Sequence, residues 1–329
     1  MRVTSTTVNY LNSGLILLAA AIAYLLPFEL FLFSYAVLGP LHYLTEISWL
    51  QKRQYFSPGK HDGTFLILIG VLIFLGASFK DLIGPFVPSF IALAFLLALV
   101  MVIVRRPVYK AFSIALILLF LVLFSQARWY IVFFSIFLTT IIHVFVFTAA
   151  FMLYGALKER SRSGYLSLGL LLAVALSFFL FVPEGNVFEL SKYVQEAFLS
   201  AFPVLNIELS RLLPVQELST VNDLFFSTSG LVVMRFIAFA YTYHYLNWFS
   251  KTSIIKWHEV SKKYATGIFF VWLIAVGLYA YDYEVGLTAL YFLSMLHVLL
   301  EFPLNQVSFI GIGKEIGARL GFKKTPVKA

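Results

Sequence analysis

The chain has 329 residues, of which 61% are hydrophobic and only 12% charged, and its mean hydropathy is +0.90. A soluble core cannot use that share of apolar side chain, so the class is an integral membrane protein. The absence of cysteine excludes disulfides and thiolate metal sites and leaves His, carboxylate and water as metal donors. The net charge of +8 is explained below by topology, and no nucleic-acid partner is needed for it.

Residues 1–10, "MRVTSTTVNY", are polar, and the apolar run 13–26 has no small-residue cleavage site before the next run begins. It reads as a retained helix, not a signal peptide. Apolar runs of about 17 to 25 residues are expected for membrane helices. They occur near 11–26, 29–50, 63–79, 85–104, 109–126, 129–157, 164–182, 229–250, 265–281 and 286–304. The expectation is an all-α bundle of about ten spans forming one transmembrane domain over 1–329. One long connection, 183–228, contains "FELSKYVQEAFLSAF", whose apolar spacing predicts an amphipathic helix along the interface or across the end of the bundle.

The basic residues give the direction of the spans. Eighteen of the 24 Lys and Arg fall in the loops after spans 2, 4, 6 and 8 and in the C-terminal tail, and Arg2 adds one more. Loops on the other side hold Lys80, Arg128, Lys192 and Arg211. This asymmetry predicts an even number of spans with both termini in the cytoplasm, in the inner (plasma) membrane, where the basic loops also meet anionic lipid.

Of six histidines, His61 and His258 fall in loops expected to be cytoplasmic. The other four, His42, His143, His244 and His297, lie within spans 2, 6, 8 and 10, which all run in one direction. Counted from the outer ends, His42 is 13 residues past Glu29, His143 is 15 past Arg128, His297 is 13 past Glu284 and His244 is 14 past Gly230. At about 1.5 Å per residue all four imidazoles sit roughly 20 Å in. Polar side chains at that depth face the bundle interior. One such His serves equally well as a structural hydrogen-bonding group or as a ligand. Four at one level point to a shared metal ion, with separate hydrogen bonds, a proton relay or haem as the alternatives.

Two of the four share a pattern. "HYLTE" and "HVLLE" place Glu46 and Glu301 four residues after His42 and His297, on the same helix face. Such a carboxylate can bind a metal, or accept the free N–H of a liganding His and orient it. Glu46 and Glu301 are therefore the candidate catalytic residues beside the four His ligands. Glu46 is expected to reach a ligand His on a neighbouring span. Tyr241, Thr242, Tyr245, Asn247 and Trp248 surround His244, and Thr139 and Thr140 precede His143 by one turn. Arg235 is expected to pair with an acid of the outer loops or to snorkel; the 36 Phe residues can line an apolar tunnel, although facing lipid is their commoner use. Four neutral imidazoles suit iron, copper, nickel or zinc. Fe(II) is favoured, because four histidines leave it open positions for dioxygen; Zn is the alternative.

"GPLHYLTE", residues 39–46, has the form Gly-x-x-His-x-x-x-acid. It resembles the Gly-x-x-His-Gly-x-x-Asp stretch of the Brp/Blh family of bacterial and archaeal membrane β-carotene 15,15'-dioxygenases, with Tyr43 in place of the second Gly and Glu46 in place of Asp. That family also has a Trp-His-Ser-x-x-His type pair on a later span, where this chain has His244 and Trp248 in "YHYLNW". The resemblance implies a polytopic fold, iron held by histidines, a ligand role for His42, and oxidative cleavage of β-carotene to retinal. The partners then expected are a lipophilic substrate, dioxygen and membrane lipid. The rival classes are a zinc-dependent membrane lipid hydrolase, although the His-x-x-x-His typical of the ceramidase kind is absent, and a transporter or proton-relay protein.

Overall fold

The computed structural model describes residues 4–183, 185, 188–251 and 261–321. His258, the basic residues Arg2, Lys256, Lys323, Lys324 and Lys328, and part of the 183–228 connection lie outside them. Every regular element among the described residues is helical.

The chain begins with α1 (Ser5–Leu25), capped by Thr4, whose hydroxyl accepts the Thr7 N–H. Pro27 opens the next helix, where its missing N–H costs nothing, and it holds Leu26 outside both helices. That helix, α2 (Pro27–Lys52), contains a π-helical turn over Ser34–Leu38. Pro40 explains the turn: its nitrogen cannot bond the carbonyl of Ala36, and the Gly39 N–H instead reaches back to the Ser34 carbonyl.

After α3 (Asp62–Ser78) come α4 (Val87–Ile103), α5 (Pro107–Phe124), α6 (Arg128–Glu159) and α7 (Arg162–Leu180). In α6 the stretch Phe133–Phe147 is π-helical, and within it the Thr139 and Thr140 hydroxyls take the carbonyls of Ser135 and Ile136. Such back-bonding competes with the regular helical ladder. Three short helices follow, α8 (Lys192–Leu199), α9 (Pro203–Ser210) and α10 (Val221–Phe226), and then α11 (Thr228–Ser250), α12 (Lys262–Tyr281) and α13 (Tyr283–Arg319).

Among the described residues, eight helices are long and apolar enough to cross a membrane. Helices occupy the other two expected spans as well, but α3 has only 17 residues, and α11 carries Arg235, His244, Asn247 and other polar groups along its length. Polarity there follows from position. Nearly every residue of α11 from Gly230 to Tyr245 is buried, so its surroundings are protein. The last span also runs further than expected: α13 continues past 304 to Arg319, with Pro303 inside it and the Arg319 guanidinium bonded to the Leu157 carbonyl of α6. At about 1.5 Å per residue such a helix exceeds the roughly 30 Å hydrocarbon thickness.

Helices α11 and α13 organise the bundle. Around α11 pack α1, α2, α6, α7, α9 and α10; around α13 pack α2, α3, α4, α6 and α12. Helices α5 and α12 lie at the edge, with few buried side chains. The expected amphipathic segment is α8, whose Val194, Ala197 and Phe198 face inward. Phe198 meets the rings of Phe28, Phe31, Phe202 and Phe225, so α8 closes the end of the bundle at which α11 begins.

Candidate metal centre

Four helices bring the four histidines of the expected spans together: α2 gives His42, α6 His143, α11 His244 and α13 His297. Ring centroids are 4.7 Å apart for His42–His244, 4.8 Å for His143–His244, 5.1 Å for His143–His297 and 5.3 Å for His42–His297. The four rings thus form a closed square. All are buried.

Two edges of the square are contacts between Nε2 atoms, 3.1 Å for His42–His244 and 3.2 Å for His143–His297. Donors held about 2.1 Å from one ion lie about 3.0 to 3.4 Å apart, depending on the angle. The inner faces of the two pairs therefore have the spacing of ligand edges. His42, His143 and His297 each offer a nitrogen within 4.8 Å of the others and form a group that could hold a metal ion. His244 is not one of the three; it touches the group through its contact with His42.

The outer faces of the rings are held by other groups. Nδ1 of His244 is 2.9 Å from the Thr148 hydroxyl, and Nδ1 of His143 is 2.9 Å from Oε2 of Glu301. Nδ1 of His42 has no hydrogen-bond partner among the described residues. Glu46 is fully buried and its Oε2 is 3.0 Å from Nε2 of His42, one turn earlier on the same helix. The expectation that Glu46 contacts a ligand His of a neighbouring helix is not met: among the described contacts that role falls to Glu301. An i,i+4 pair on a regular helix turns its side chains toward each other, which favours the local partner. Neither carboxylate contact is aligned as a hydrogen bond.

The residues around His244 divide. Thr242 bonds Ser34, and the Trp248 indole donates to Thr45, whose own hydroxyl returns to the helix carbonyls of Leu41 and His42. Tyr245 packs on His42 and His244. Its hydroxyl lies where a Cβ on Gly39 would come within 3.3 Å, so the glycine of "GPLH" makes room for it. Tyr241 belongs to an aromatic group with Phe31 and Tyr35. Asn247 is buried, with its Oδ1 unpartnered among the described residues. Arg235 donates to the carbonyls of Pro183 and Gly185 and faces the Tyr24 ring, 5.8 Å away. His61 is an exposed residue at the start of α3, away from this cluster.

Thr148 carried no recognisable signal in the sequence. It follows His143 by five residues, a spacing that does not share a face on a regular α-helix, and the π-helical stretch ending at Phe147 alters that register.

A cavity of about 650 Å³ reaches His143 and His297. It extends to Ser78, Lys80 and Thr288, near the end of the bundle where α6 and α13 begin. A second cavity of about 490 Å³ shares Ala77, Lys80, Val87, Ser135 and Tyr291 with it and continues to Ser125 and Gln126. The size is that of a small-molecule site. Its lining differs from the expected Phe-lined tunnel: only Phe74 and Phe202 contribute phenyl rings, beside Ile, Leu, Val and Met and a larger set of Ser, Thr and Tyr hydroxyls. Most of the Phe residues pack elsewhere, in the core or on the outer faces of the edge helices.

No family model, curated protein or solved structure matches the chain.

Proposed function

We propose that the protein is a membrane-embedded iron-dependent oxygenase acting on a long, lipid-soluble substrate, with cleavage of β-carotene to retinal as the first reaction to test. The observation that carries this reading is the meeting of a closed square of buried imidazoles with a cavity that touches two of them. The ligand set is His42, His143, His244 and His297. Neutral imidazoles suit Fe(II), which when bound supplies the capacity to activate dioxygen.

The chain's own residues then have separable tasks. Glu301 and Thr148 hold the outer nitrogens of His143 and His244, selecting the tautomer in which Nε2 faces the ion. The aliphatic wall formed by Ile91, Ile136, Val144, Leu287, Met295 and Val298 takes up an apolar chain and keeps water from it. Cleavage by this route breaks one carbon–carbon double bond and forms two carbonyls. Both oxygen atoms come from dioxygen, and no reductant is consumed. The basic loops support an orientation with both described ends of the bundle toward the cytoplasm, in the inner (plasma) membrane.

The test is retinal formation in cells that make β-carotene, comparing the unaltered chain with His143→Ala. Retinal from the first and not the second supports the reading. Retinal from neither, in membranes shown to hold the iron-loaded protein, removes the carotenoid substrate. Stoichiometric zinc with hydrolysis of a lipid amide or ester replaces the oxygenase by a hydrolase.

A further inference from the structure

We infer that Glu46 is itself a ligand of the ion, a fifth donor beside the four imidazoles, whereas Glu301 acts on the ion only through His143. The inference rests on the metal reading above and assigns different roles to two carboxylates that stand in the same sequence pattern.

The difference lies in which ring atom each one faces. A carboxylate that orients a liganding His must reach the nitrogen turned away from the ion. Glu301 does so: it stands 2.9 Å from Nδ1 of His143, while Nε2 of that ring faces Nε2 of His297 at 3.2 Å. Glu46 does not. Its Oε2 is 3.0 Å from Nε2 of His42, and the same nitrogen is 3.1 Å from Nε2 of His244. The outward nitrogen of His42, where an orienting carboxylate belongs, has no partner among the described residues.

Glu46 Oε2 and Nε2 of His244 therefore both stand beside the same nitrogen, Nε2 of His42. Their spacings of 3.0 and 3.1 Å match donors about 2.1 Å from one ion at right angles. Glu46 is 1% exposed and its Oε2 accepts no hydrogen bond among the described residues. A bound ion would give that oxygen the partner it lacks.

The consequence concerns the kind of metal and substrate. Five protein donors leave one place in an octahedral set, which fits Fe(II) and does not fit a closed tetrahedral zinc. The cavity is lined by His143 and His297, while Glu46, His42 and His244 are not part of its wall. A small ligand would therefore approach a bound ion from the side of His143 and His297, which line the cavity. The organic substrate of such a centre is one without a chelating group, held beside the ion by the cavity walls and not by the ion.

The experiment uses the full chain in detergent or nanodiscs, loaded anaerobically with ferrous iron and freed of excess. Iron is measured by elemental analysis, and the coordination is read from the electron paramagnetic resonance of the nitric oxide adduct. Glu46→Gln is expected to lower iron retention and to change the shape of the nitrosyl signal in whatever iron remains. Glu301→Gln is expected to weaken binding about 10- to 100-fold while the remaining iron gives the unaltered signal. A folded Glu46→Gln protein with the unaltered signal overturns the inference. If that variant does not fold, Glu46→Asp is read in the same way: a changed signal supports the ligand role and an unchanged one overturns it. Failure of the unaltered chain to retain any transition metal is a separate outcome, which overturns the metal reading and this inference with it.

Discussion

Oε2 of Glu301 on α13 lies 2.9 Å from Nδ1 of His143 on α6, inside a bundle where both side chains are about 3% exposed. The pair joins two helices at the level of the histidine square and turns the other nitrogen of His143 toward His297. A carboxylate in that position limits the rotation of the imidazole.

Replacing Glu301 by Ala is expected to do more damage than replacing it by Gln. Gln keeps an oxygen beside the His143 ring, whereas Ala removes the 2.9 Å contact and leaves a gap next to it. Metal titration of the two variants, with thermal unfolding measured on each in the metal-free form, separates the effect on the ion from the effect on the fold. Equal behaviour of Ala and Gln would show that the contact does not orient the ring.

Thr148 offers a second test of ring orientation. Thr148→Val conserves shape and removes the hydroxyl 2.9 Å from Nδ1 of His244. Metal affinity is expected to fall about 10- to 100-fold, and Thr148→Ser is expected to recover most of it. Isothermal titration with ferrous iron under anaerobic conditions reads both. A Val variant that binds as tightly as the unaltered chain would detach Thr148 from the site.

The cavity can be closed without touching the metal donors. Thr139 lines it, and its hydroxyl is engaged with the Ser135 carbonyl of its own helix, so Thr139→Phe adds a ring to the cavity and leaves the histidines in place. Turnover is expected to drop at least tenfold while the metal content is unchanged. Full turnover in the Phe variant would place substrate somewhere other than this cavity.

At the end of the bundle where α11 begins, Asp223 completes the capping box of α10, whose N-cap is Thr220. Hydrogen bonds from the Thr220 and Ser219 side chains, together with their backbone N–H groups, hold its carboxyl below the ordinary 3.8. A depressed carboxyl stabilises the folded state above its unfolded pKa, and the contribution is lost as the pH falls below about 4 and through the folded value. Hydrogen exchange in residues 216–227 is expected to accelerate over that fall in pH in the unaltered chain. In Asp223→Asn it is expected to be fast throughout. An identical pH response in both would assign the loss to another group.

The sequence carried the helical class and the common level of the histidines along their helices, because hydropathy and a rise of about 1.5 Å per residue depend on no tertiary detail. His42, His143, His244 and His297 could be set at one level by counting alone. The partners of their outer nitrogens could not. Glu46 and Glu301 stand in identical patterns, and only the approach of α6 to α13 gives Glu301 a ring on another helix. Thr148 was hidden because the π-helical stretch of α6 changes which residues share its inner face. Helices occupy all ten expected spans; α3 is short, and burial of α11 among six other helices lets it carry polar groups that lipid would exclude. The extension of α13 to Arg319 was obscured by Pro303, which usually marks a helix end but here sits within a helix packed on several sides.

The central claim is that the four imidazoles hold one transition-metal ion. It is tested most directly by elemental analysis of the full chain purified anaerobically from iron-replete cells, beside His143→Ala prepared in the same way. The expected result is about one iron per chain in the first and less than about a tenth of that in the second. Protein that carries no transition metal, or equal metal in both preparations, would contradict it.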